Sequence, residues 1–192
     1  MKKFLASALM LLAASTATFA QHAVGSFSLQ PKAGISIADM TDTQGTTSRI
    51  GFVGGLEGEY QASDIFSLSL GVNYSQEGFK LKNSDDKIKL DYINVPILAN
   101  VYLAKGLAVK VGVQPGFNVG NSVTVNGNTT SSSKKDYDGI KSVALSIPVG
   151  LSYEISNVVF DARYNWGVTK AFDNLDSKNS VFQITIGYKF QL

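Results

Sequence analysis

The chain has 192 residues, 17 basic and 15 acidic, with one histidine and no cysteine. That length suits a single domain, and so even a charge balance leaves no basic excess for nucleic acid. Without cysteine there are no disulfides, thiol nucleophiles or thiolate metal ligands, so the fold must rest on a core or on closure of a sheet.

The first twenty residues read as a cleaved signal peptide. Lys2 and Lys3 form a basic start, Phe4 to Ala14 an apolar run broken only by Ser7, and Thr18-Phe19-Ala20 a small-residue cleavage site. The run is too short to span a bilayer as a helix. The expected domains are therefore the signal peptide (1–20), a short N-terminal tail (21–26) and a barrel domain (27–192). Loss of Lys2 and Lys3 leaves a mature chain of formal net charge zero.

Eight stretches then alternate apolar and polar residues with period two, the signature of strands with one apolar face. The first predicted strand runs from Phe27 to Ile37 and the second from Arg49 to Tyr60. The third, Phe66 to Ser75, alternates without exception. The fourth, Tyr92 to Leu103, sets Ile93, Val95 and Ile97 against Tyr92, Asn94 and Pro96. Leu107 to Val119, Val143 to Glu154 and Val158 to Gly167 follow. The last, Phe182 to Leu192, alternates unbroken from Phe182 to the end. No helical periodicity competes, so an all-β domain is expected.

The connections alternate in length. Ala38 to Ser48, Gly78 to Lys87, Gly120 to Gly139 and Val168 to Lys178 are long and polar; Gln61 to Asp64, Ala104 to Gly106 and Ile155 to Asn157 are short. Outer-membrane barrels show this rhythm, with short periplasmic turns and long outer loops. Tyr60, Phe66, Tyr153, Phe160, Tyr188 and Phe190 gather at the short-turn ends. Phe52, Tyr74, Phe117, Trp166 and Phe182 gather near the long-loop ends, as two interfacial belts would. Pro31, Pro96, Pro115 and Pro148 all fall inside predicted strands. Proline cannot donate to a ladder, so bulges or breaks are expected there.

The polar rows are rich in Gly, Ser and Asn, which suits the narrow interior of an eight-stranded barrel better than a water-facing sheet. Their few charges come in both signs: Lys32, Arg49, Lys110, Arg163 and Lys189 with Glu57, Glu59, Glu154 and Asp161. Ions in a narrow, partly dry lumen must pair, so these nine residues are candidates for an interior ion-pair network. His22 lies in what reads as a flexible tail, and no Ser/His/acid set forms around it. Asp85-Asp86 and Asp173 with Asp176 are loop carboxylates too few to define a calcium site. No catalytic residue, metal site or cofactor is expected.

Tyr92-Ile93-Asn94-Val95-Pro96-Ile97-Leu98, Gly112 to Gly120, Asp161-Ala162-Arg163-Tyr164-Asn165-Trp166-Gly167 and Gly187-Tyr188-Lys189-Phe190 resemble strands of the PorT-like outer-membrane β-barrel family. The resemblance implies a barrel in the outer membrane of a Gram-negative bacterium, and a link to protein secretion for its named member. The residues and the resemblance together lead to one expectation. The chain is an eight-stranded antiparallel up-and-down barrel in the outer membrane, with a non-catalytic structural or surface-interaction role. Its partners would be membrane lipid, the barrel-assembly machinery during biogenesis, and a protein or surface polymer at the outer loops. A narrow pore, a secretion accessory and a soluble ligand-binding barrel are the alternatives.

Overall fold

Alternating rows of apolar and small polar residues bend into a closed ring. The computed structural model describes residues 22–41, 46–81, 86–125, 128–132, 141–170 and 178–192. The predicted signal peptide lies outside them. In chain order the strands are β1 (Phe27–Thr41), β2 (Thr46–Ser63), β3 (Phe66–Leu81), β4 (Lys87–Asn94), β5 (Ile97–Ala104), β6 (Leu107–Val125), β7 (Asn128–Ser132), β8 (Val143–Ile155), β9 (Val158–Lys170), β10 (Lys178–Tyr188) and β11 (Phe190–Gln191). Every pairing is antiparallel, and β1 closes the ring by pairing β2 on one side and β10 with β11 on the other. Going round, β4 and β5 together make one stave, as do β10 and β11, so eight staves form the wall. Strand β7 stands outside the ring as an arm on the far end of β6.

The apolar rows face outward. Ile50, Phe52, Leu70, Trp166 and Ile186 are exposed, Trp166 by 59 %, while Glu57, Asn100 and Arg163 are buried inside. That inverts a soluble barrel, in which the apolar row would fill the interior. Ring pairs mark the short-turn rim, with Phe27 and Tyr60 centroids 4.7 Å apart and Tyr188 and Phe190 4.8 Å apart.

Strand limits differ from the sequence expectation at the long-connection end. Pairing continues through Thr41↔Lys178, Lys80↔Lys87 and Val125↔Asn128, all within stretches expected to be loop. Beyond the apolar band an outward residue no longer has to be apolar. The alternation therefore fades while the backbone ladder runs on. The barrel stands above its apolar band as a polar collar.

Each proline coincides with an interruption of the ladder, and none with a register shift. Two rungs are missing between Leu29↔Phe190 and Lys32↔Gly187, beside Pro31. Val95 and Pro96 divide β4 from β5, and there Gly71 N donates to Pro96 O and Val95 N to Pro115 O, both at 2.9 Å. The β6–β8 ladder skips from Val111↔Val149 to Gln114↔Ser146, beside Pro148. The bulges lie elsewhere, at Ser48/Val53 and Asp91/Tyr92 among other places. A proline break removes one donor and leaves the register intact, so the ring closes without edges.

Candidate functional site

The lumen is the one interior this fold builds, and its wall changes character along the axis. Near the short turns it is ionic. Glu57 on β2 receives three cations: Lys32 Nζ from β1 at 2.5 Å, Lys110 Nζ from β6 at 2.9 Å and Arg163 Nη2 from β9 at 3.2 Å. Asp161 takes Lys110 at 3.1 Å and Arg163 at 3.0 Å. Strands β1 and β6 are four staves apart on the eight-stave ring, so the Lys32–Glu57–Lys110 chain crosses the lumen.

A second cluster lies one level nearer the short turns. Lys189 Nζ sits 2.9 Å from Glu59 Oε2 and 3.0 Å from Glu154 Oε2, joining β2 to β8. Glu59 Oε1 also accepts from Ser67 Oγ at 2.6 Å and from the Tyr102 hydroxyl. The first cluster has one cation more than anions and the second one anion more than cations, His22 taken as neutral, so together they balance. Lys189 owes its position to the ladder break at Pro31. Its backbone leaves the strand there, donating N–H to Asn157 O at 2.7 Å and accepting from Asn157 Nδ2 at 2.9 Å.

Eight of the nine charges singled out in the sequence fall in these two clusters. Arg49 does not. It lies eight residues along β2 from Glu57, roughly 26 Å at about 3.3 Å per residue, and its guanidinium donates to the backbone carbonyl of Glu77. His22, expected in a flexible tail, folds back to the rim. Its Nε2 lies 3.1 Å from Glu154 Oε1 and its Nδ1 2.6 Å from Gln191 Nε2. If Gln191 donates, Nε2 carries the imidazole proton and points it at Glu154. The loop carboxylates Asp85, Asp173 and Asp176 lie outside the described residues.

Toward the long connections the lining turns to amides and hydroxyls, with Ser36, Asn73, Ser75, Asn94, Gln114, Asn118 and Asn165 all buried. Asn94 Nδ2 and Asn179 Nδ2 each donate to the Glu77 carboxylate at 3.1 Å. Met40 and Phe79, with Ile88 against them, add an apolar patch above. Gly78, beside Glu77 within β3, holds φ +112°, and a Cβ there would strike the Ile88 carbonyl. Glu77 escaped the sequence reading because the alternation had seemed to end at Ser75. Extending the β3 polar row by one step would have found it. Among the described residues, no group of three or more His, Cys, Asp or Glu side chains is placed to hold a metal ion.

Comparison with known proteins agrees with this architecture. The family described as outer membrane protein beta-barrel domain matches residues 19–173. A search of the curated proteins finds no match. Among solved structures, Neisserial surface protein A is 20 % identical with a TM-score of 0.57, covering 85 % of this chain and 97 % of its own. Ail, the attachment invasion locus protein of Yersinia pestis, in complex with the heparin analogue sucrose octasulfate, is 18 % identical with a TM-score of 0.55, covering 88 % and 100 %. At these identities the likeness is one of fold.

Proposed function

Because this chain belongs to the outer membrane protein beta-barrel domain family, we propose that it is a plugged, non-catalytic barrel whose task lies in what its long connections present to the outside. Its apolar wall sits in outer-membrane lipid, short turns on the periplasmic side and long connections outward. Closure satisfies the backbone within the bilayer, and the lumen is left to the side chains. The observation that carries the reading is the set of ion pairs crossing that lumen, with Arg163 only 1 % exposed. Eight strands enclose little more than side chains, and here those chains are tied to one another from opposite walls.

Partners then have to act from outside. A protein or a surface polymer at the outer hairpins, including the β6–β7 arm, fits this reading. It is supported at the level of fold by the Ail structure, which holds a heparin analogue. Removal of residues 1–20 and insertion by the assembly machinery belong to the same proposal. N-terminal sequencing of the protein taken from membranes checks the cleavage. An accessory role in secretion is the second reading, favoured by the PorT-like stretches Tyr92 to Leu98 and Asp161 to Gly167. Co-purification of secretion components from native membranes would support it.

Planar-bilayer recording tests the plugged barrel. The purified protein should insert without a steady current, and a reproducible ohmic conductance would replace this reading with a pore.

A further inference from the structure

We infer that the outer half of the lumen binds one water-sized monovalent cation at Glu77. The Glu77 carboxylate is buried, and both its oxygens accept from neutral amides, Asn94 and Asn179. The nearby cation, Arg49, is turned to the Glu77 backbone carbonyl and not to the carboxylate. No ion pair reaches Glu77 from the described residues, whereas Glu57, Glu59, Glu154 and Asp161 all have one. A buried carboxylate without a counter-charge is costly.

Glu77 lines a cavity of about 20 Å³ together with Tyr92, Asn94, Gln114, Asn165 and Asn179. That space holds about one water-sized sphere. Three further buried oxygens on its wall have no hydrogen-bond partner, Tyr92 Oη, Gln114 Oε1 and Asn165 Oδ1, and neither does Asn165 Nδ2. Each belongs to a residue no more than 3 % exposed. The wall therefore offers one negative charge and neutral amide and hydroxyl oxygens around a volume of one small ion. Calcium takes six to eight oxygens and is commonly held by several carboxylates. A single carboxylate matches one positive charge, so sodium, potassium or ammonium is the class selected. An organic cation is excluded by size. The site gives the outer half the counter-charge that lysine and arginine supply below. It rests on the barrel fold and not on the lumen being plugged.

The test uses the whole mature barrel in detergent, melted at constant pH and ionic strength in potassium, sodium, ammonium or tetramethylammonium chloride. The small cations should raise Tm over tetramethylammonium by about 3–6 °C at a tenfold excess over Kd, and further with the logarithm of concentration. Glu77→Gln keeps the shape and should abolish the difference. Gln114→Met keeps the charge but removes an oxygen, and should weaken the ion response. Crystals soaked in thallium chloride should show an anomalous peak between Glu77 and Asn165. Equal melting in all four salts would overturn the inference, as would an ion response that survives Glu77→Gln. A Glu77 neutralised by a proton would show the first of these, with stability following pH and not the cation.

Discussion

The two halves of the lumen satisfy the same requirement in opposite ways. In the periplasmic half, charges from opposite walls meet: Glu57 alone joins β2 to β1, β6 and β9. In the outer half, neutral amides and hydroxyls take over: Gln114 joins its neighbour Ser146 at 3.4 Å, and Asn179 and Gln183 of β10 reach Glu77 and Ser75 of β3, three staves away, at 3.1 and 3.3 Å. Branched ion pairs tie the periplasmic half together; single neutral hydrogen bonds leave room in the outer half. The cavity beside Glu77 and the unpartnered amide atoms of Asn165 accordingly fall in the outer half. A narrow barrel can thus be stiff at one end and able to admit a small guest at the other.

Substitutions should separate the halves in a definite order. Glu57→Ala should cost most, about 3–5 kcal/mol, because it leaves Lys32, Lys110 and Arg163 buried around Asp161 alone. Urea unfolding in lipid vesicles measures it, and a loss near zero would mean the periplasmic half is no clamp. Lys189→Met should come next, leaving Glu59 and Glu154 facing each other, with a loss of a few kcal/mol by the same reasoning. In the outer half, Asn94→Ala removes one of two donors to Glu77 and should cost about 1–3 kcal/mol. An Asn94 effect as large as that of Glu57 would erase the contrast. His22→Ala should have the smallest effect, about 0.5–1.5 kcal/mol for hydrogen bonds at the rim. Thermal melts of the detergent-solubilised barrel are sensitive enough to detect it.

How much of this was legible in the sequence follows the same division. Within the apolar band each outward residue must suit lipid, so period two was sharp. Lys32, Glu57, Lys110, Asp161 and Arg163 were placed on the inner face by parity alone. Parity could not say which charges share a level, because strand stagger is a property of the closed ring. Arg49 is a different case: its eight-residue separation from Glu57 along β2 was readable, and grouping by face alone ignored it. The collar was illegible because the pattern inverts there: Asp39 and Lys80 face outward while Ala38, Met40 and Phe79 are buried inward. Glu77 and Asn179 went unnoticed with it. The folded-back His22 depends on a contact with Glu154, 132 residues away, which no local pattern encodes. Lys189 was readable as a lumen charge. Its departure from the strand, set by Pro31 on the neighbouring stave and braced by Asn157, was not.

The central claim is that the charged cluster binds opposite walls of the barrel together. A double-mutant cycle between Glu57 and Arg163, read by reversible unfolding in lipid vesicles, tests it most directly. Using Glu57→Gln and Arg163→Met, the account predicts a favourable coupling in the upper part of the roughly 0.5–3 kcal/mol range for contacting residues. Strictly additive losses, with no coupling between the two positions, would contradict it.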